Sequence, residues 1–158
     1  MPGCKHQDKT SIPLKNISLS GSQEEMLAEL CESIIPKTNN FIGAKDLRAH
    51  EFVLTMVDDC TSPENRKQFT DGMKVFENAC KKKFNSPFVK CSSRQRNDLL
   101  KEMEANKNEK DNAAKFYKTV KRYTVQSFTS SKQYLVDVRK YQLVPGSNFK
   151  GCVPVKKS

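Results

Sequence analysis

Residues 111–128 read DNAAKFYKTVKRYTVQSF, and this stretch decides the fold. Advancing roughly 100° per residue, Ala113, Tyr117, Val120, Thr124 and Phe128 fall within about 80° of one another, while Lys115, Lys118 and Arg122 gather on the opposite side. The pattern predicts a long amphipathic helix, dry on one face and basic on the other. The same three-to-four spacing recurs towards the N-terminus. SSRQRNDLLKEMEA (92–105) has a serine to cap it, with Leu99, Leu100 and Met103 inside. TSPE at 61–64 supplies a hydroxyl cap, a first-turn proline and a glutamate, and so starts a helix that carries Phe69, Met73, Phe76, Cys80 and Phe84 into a KKK ending. Upstream, LRAHEFVLTMVDDC predicts a helix with a buried face of Leu47, Phe52, Val53, Met56 and Val57. SGSQEEMLAELCESII begins near Ser20, presents Met26, Leu27, Leu30, Cys31 and Ile34 as one stripe, and stops at Pro36. No alternating run is long enough to nucleate a sheet. The expected architecture is an all-α bundle of five or six helices with an extended C-terminal tail.

Three regions follow. Residues 1–19 read as a flexible polar leader, residues 20–140 as the bundle, and residues 141–158 as an extended tail after one more short helix. NSPFVKC and NKNEKDN read as loops between helices. Gly3-Cys4 followed by a polar stretch matches what lipoprotein signal cleavage leaves behind, which would make Cys4 a lipid-anchor site.

Charge is unevenly spread. Residues 1–60 hold six Lys/Arg against nine Asp/Glu, whereas residues 61–158 hold 22 against nine, a net +13. Such a balance suits an acidic partner, a nucleic acid or an anionic surface, and equally a solvated face. The six cysteines (Cys4, Cys31, Cys60, Cys80, Cys91 and Cys152) lack the short spacing that zinc or iron–sulfur ligation needs. Cys31, Cys60 and Cys80 lie on or beside apolar helical faces, where a reduced cysteine is a small hydrophobe. Of the two histidines, His6 is in the leader. His50 opens a helix with no acid partner at useful spacing, so it reads as a surface or capping residue. Asp58-Asp59 point about 100° apart on a helix and read as a helix end rather than a metal pair. Hydrolase, phosphate-cradling and dinucleotide signatures are absent from the sequence. No catalytic, cofactor-binding or metal residue is expected in the chain.

Four stretches together resemble one family. They are LAELCESIIPKT, GAK at 43–45, FVLTMVDDCTSPENRKQF with Gly72 following, and a C-terminal set of FTSS, Tyr141, Val144-Pro145-Gly146 and Gly151-Cys152-Val153-Pro154. In order and spacing, from about residue 27 to residue 154, they resemble gluconate 2-dehydrogenase subunit 3, the small subunit of membrane-associated flavin-dependent sugar and sugar-acid dehydrogenases. Ser131 stands where that family usually has a glutamate, and the segment after it is about a residue longer.

The resemblance implies a periplasmic accessory subunit with no chemistry of its own. A large partner subunit would bind FAD and oxidise the substrate, and a c-type cytochrome would often take the electrons. The small subunit would bind the large one and support its folding and export. It would reach the membrane only through its partner or a lipid anchor. On this reading the docking residues are Val144, Pro145, Gly146, Phe149, Gly151, Cys152, Val153 and Pro154. Two prolines stiffen that tail and reduce the entropy it loses on docking. Cys152 is then a candidate for a disulfide across the subunit interface, with packing on the bundle or a free thiol as the other reading. The competing function is a basic helical module that binds nucleic acid or another acidic surface. Against it, Phe69, Phe76, Phe84 and Phe128 sit on core faces and are not interleaved as stacking platforms.

Overall fold

The computed structural model of the chain describes residues 9–141. The leader residues 1–8 and the tail from residue 142 lie outside them, and with them Cys4 and the eight docking residues of the tail, Cys152 included. Five α-helices follow one another as α1 (Gly21–Ile34), α2 (Ala49–Cys60), α3 (Pro63–Phe84), α4 (Ser93–Ala105) and α5 (Asn112–Thr129). A 3-10 turn at Phe88–Lys90 joins α3 to α4, and a π-helical turn at Tyr134–Val138 follows α5. Among the described residues there is no strand, so the all-α bundle expected from the sequence is what forms. None of the described helices is long and apolar enough to cross a membrane.

The helix boundaries follow from local chemistry. Ser20 and Ser92 each accept from the backbone N–H three residues on, while Gln23 and Gln95 reach back to the cap N–H, giving two reciprocal capping boxes. Ser62 caps α3 with Pro63 in the first position. That helix stops where Asn85 turns left-handed (φ 52°), behind Lys81, Lys82 and Lys83 at its negative pole. Asp111 caps α5 by accepting from Ala113 and Ala114.

Helix α5 lies at the centre of the packing, mainly against α3, and also against α2, α4 and α1. Phe116 meets Phe69 at 5.0 Å and Phe76 at 5.6 Å between ring centroids, and Phe76 meets Phe88 at 5.4 Å. Tilted rings at this spacing add attraction beyond the area they bury. The buried face of α5 is the predicted one widened by Ala114, Phe116 and Tyr123, and Phe128 lies only half-buried at its end.

Three expectations change. The core face of α2 is rotated from the predicted one: Ala49, Val53, Leu54 and Val57 are buried, whereas Leu47, Phe52 and Met56 lie at the rim. Three neighbours, α5, α1 and α3, share this short helix, and the space between them selects the centre of its face. Cys60 sits exposed at its end. The NSPFVKC loop contributes a core residue, because the 3-10 turn drives Phe88 into complete burial.

Third, residues 9–19 do not behave as a free leader. Ile17 and Leu19 are buried, with Ile12 and Leu14 packed beside them. The clamp is Asp58, only 3% exposed. Its carboxylate accepts from the backbone N–H groups of Lys15, Asn16 and Ile17 at 2.7–2.8 Å, and Asn16 Nδ2 donates to the Asp58 carbonyl at 2.9 Å. Burial pushes the Asp58 carboxyl up, but the three donors, helped by Arg66, outweigh that and hold it below the usual carboxylate range. The pair read as a helix end is therefore split: Asp59 faces solvent and Asp58 anchors a strap.

Candidate functional site

Two regions gather polar or apolar groups in a way the fold alone does not require. The first lies where the strap crosses α1 and α2. Glu24 is buried and accepts from both the backbone N–H and the hydroxyl of Ser11. His50 presents Nε2 to Glu24 at 3.6 Å and to Glu51 at 3.9 Å. Arg48, left-handed at φ 54° before α2, donates from Nε to Glu51 at 2.7 Å. So His50, expected to lack an acid partner, has two. Glu24 comes from another helix, 26 positions away, and only the packing of α1 on α2 brings it there.

Glu24, His50 and Glu51 offer ligand atoms within 4.8 Å of one another, a spacing that could hold a cation. The existing partners argue against that use. Ser11 already donates to both Glu24 oxygens and a guanidinium already pairs with Glu51, so a metal would compete with partners in place. His50 Nδ1 is buried without a hydrogen-bond partner. Burial lowers the His50 pKa, with Arg48 and Lys45 acting in the same direction, and together they outweigh the attraction of Glu24 and Glu51. A depressed folded value means the neutral ring is favoured in the folded state. Its stabilising share is complete above pH ~6.5, the ordinary histidine value, and is lost as pH falls through the folded value. We expect the melting temperature to drop on acidification below that point and His50→Gln to flatten the drop. Parallel profiles for the two proteins down to pH ~5 would show that burial of the ring has no such consequence.

The shared sequence stretches are explained locally. Glu32, in LAELCESIIPKT, accepts from the backbone N–H of Lys37 and of Lys45 at 2.8 Å each, closing the loop between α1 and α2. Gly43 faces that carboxylate so closely that a Cβ would collide with it. Gly72 lies under α5, where a Cβ would stand 2.6 Å from the Asn112 carbonyl oxygen. Cys31, at the centre of the first stretch, accepts from Thr124 Oγ1 at 3.2 Å, and burial pushes its thiol up to about 12. These residues shape the bundle. None of them converges on a pocket.

The second region is the C-terminal end of the described chain. Phe128 packs between Phe41 and Tyr134, with centroids at 6.4 and 5.5 Å. Gln133 accepts from Ile42 N–H at 3.3 Å, tying the segment after α5 to the α1–α2 loop. Ser131, where the resembled family has glutamate, accepts from Tyr134 N–H at 3.2 Å. The turn that follows closes through Arg139 N–H to the Tyr134 carbonyl, an i to i+5 bond, and Lys140 adopts φ 52°. Such π turns and left-handed non-glycine residues are concentrated at functional sites. Val136, Val138 and Tyr141 are 47%, 46% and 55% exposed here, at the start of the predicted docking tail.

The model of one protein family, described as gluconate 2-dehydrogenase subunit 3, matches residues 21–146. The match reaches Val144-Pro145-Gly146 and ends before Gly151-Cys152-Val153-Pro154. No curated protein and no solved structure matches the chain.

Proposed function

The chain belongs to the gluconate 2-dehydrogenase subunit 3 family, and from that premise we propose that it is the non-catalytic small subunit of a periplasmic flavin-dependent sugar or sugar-acid dehydrogenase. Its partner is the large subunit, which holds the FAD and carries out the oxidation; a c-type cytochrome subunit accepts the electrons. This chain binds the large subunit and supports its folding and export.

The observation that carries the reading is the exposure of three large apolar side chains, Val136, Val138 and Tyr141, where the chain leaves the bundle. The three sit in one short segment, two of them β-branched and one aromatic, and are more exposed than the two other large hydrophobic residues at the described surface, Val75 and Val125. Leaving each in water forgoes roughly 1–2 kcal/mol of burial, and an interface recovers it. Tyrosine is also enriched at the centre of such interfaces. The tail continues in sequence from Tyr141, so this segment and the tail would dock together.

The rival reading, a nucleic-acid-binding module, has less support. Lys83 pairs with Glu102, Lys121 with Glu104 at 2.8 Å and Lys37 with Asp46 at 2.9 Å, which offsets part of the basic charge. The aromatic rings needed to stack bases are largely committed to the core.

Co-expression with a large flavoprotein dehydrogenase subunit from the same genome tests the proposal. The full chain should co-purify with the flavoprotein, and the chain alone should turn over no sugar. Truncation after Lys140, or the pair Val138→Asp and Tyr141→Asp, should weaken association by about 100-fold or more, the scale expected when an interface hot spot is lost. Non-reducing gels should show a covalent pair that Cys152→Ser abolishes. Dehydrogenase turnover by the chain alone, or undiminished association after truncation, would overturn the reading.

A further inference from the structure

Cys80 near the end of α3 and Cys91 just after the 3-10 turn bring their Sγ atoms to 3.4 Å of each other inside the core. Both side chains are buried, at 0% and 6% exposure. Nothing in the proposed function uses them. The surrounding geometry holds the two sulfurs face to face: Cys80 Sγ is 3.6 Å from the Ser86 carbonyl, and Cys91 Sγ is 3.5 Å from that of Pro87. The ten residues between them form a compact loop. It leaves α3 through left-handed Asn85, plants Phe88 against Phe76, and is held from outside by Arg96, whose guanidinium donates to the Phe88 and Val89 carbonyls.

We propose that Cys80 and Cys91 form an intrachain disulfide that staples this loop to α3. A bond requires the sulfurs to approach by about 1.4 Å more, to about 2.05 Å, a distance within reach of small side-chain rotations on a loop of this kind. The oxidant is a disulfide of higher reduction potential, either a protein disulfide or oxidised glutathione. One cysteine thiolate attacks it, giving a mixed disulfide and releasing one thiol. The second cysteine then displaces the other half. Two electrons and two protons leave with the two thiols of the reduced oxidant, and one S–S bond is gained in the chain as one is lost in the oxidant.

Burial determines when this happens. In the folded chain the Cys80 thiol is pushed up to about 12, chiefly by desolvation and then by Cys91. Exchange proceeds through the thiolate, so the bond forms while the segment is still open, during folding. Once buried it is shielded from reductants. The staple needs an oxidant but not the docking partner, so its test is separate from that of the proposed function.

The full chain is refolded with oxidised glutathione, alkylated without reduction and digested with trypsin. Cleavage after Lys74, Lys81, Lys83, Lys90 and Arg94 places Cys80 in peptide 75–81 and Cys91 in peptide 91–94. These two peptides should be recovered as one species, lighter by two hydrogens than their sum, and separate on reduction. The melting temperature should be roughly 5–10 °C higher for the oxidised than for the reduced chain, as expected for closing a loop of about a dozen residues. Cys91→Ala should remove that response to oxidant while the variant remains helical. Recovery of both cysteines as alkylated single peptides, or linkage of either to Cys4, Cys31, Cys60 or Cys152, would overturn the proposal.

Discussion

Gly72→Val is expected to destabilise the bundle by more than about 3 kcal/mol, and Gly72→Ala by about 2–3 kcal/mol, with loss of helicity in thermal or urea unfolding as the readout. Gly72 lies in the middle of α3, where glycine itself disfavours the helix by roughly 1 kcal/mol relative to alanine. In a free helix, then, the substitution would stabilise. Here a Cβ would stand 2.6 Å from the Asn112 carbonyl oxygen and 2.8 Å from Phe116 Cβ. Neither atom is the far end of a flexible side chain: one is backbone and the other is fixed by the ring it carries. Relief requires α5 to move away from α3, which would open the Phe69–Phe116–Phe76 stack. A variant with unchanged or increased stability would mean that α3 and α5 do not approach as closely as described.

Asp58→Ala is expected to cost about 2–3 kcal/mol and to detach the strap rather than unfold the bundle. Three backbone N–H groups lose their acceptor, each worth about 1–3 kcal/mol if left buried. They need not stay buried, because residues 15–19 can lift into solvent. The total is therefore limited by the packing of Ile17 and Leu19 that is given up. Amide exchange at residues 15–17 should accelerate strongly, while α3 and α5 stay protected. Asp58→Asn should do little better. One amide oxygen can replace Oδ1 for Asn16 and Ile17, but the NH2 then faces the Lys15 N–H, donor against donor. Since the folded carboxyl is held below its ordinary value, this stabilisation is complete above pH ~4 and lost as pH falls through the folded value. That window is separate from the one set by His50. Unchanged exchange at 15–17 in Asp58→Ala would show that the carboxylate does not hold the strap.

Much of the helical core was legible in the sequence because its signals are local. Ser20, Ser62 and Ser92 as caps, Pro63 at a helix start and the stripe of α5 each depend on residues within a turn or two. What escaped has a non-local cause. Phe88 looks like a loop residue until Phe76 is seen to wait for it. Asp58 looks like a helix end until the strap arrives from 42 residues upstream to use it. His50 has Glu24 as a neighbour only because α1 packs on α2. The predicted face of α2 was displaced for the same reason: with apolar residues on most sides, its periodicity did not say which neighbours would claim it.

By itself the sequence determined the all-α class, the order of the helices and the family, since capping chemistry, three-to-four spacing and short shared stretches are all written within a few turns of chain. The tertiary structure alone decided that residues 9–19 are a strap, that Gly72 is a contact point, that Cys80 meets Cys91, and that Phe41 packs on Phe128 beside the exit to the tail. Each of these depends on two segments meeting in space. A pattern read along one segment carries no term for the other.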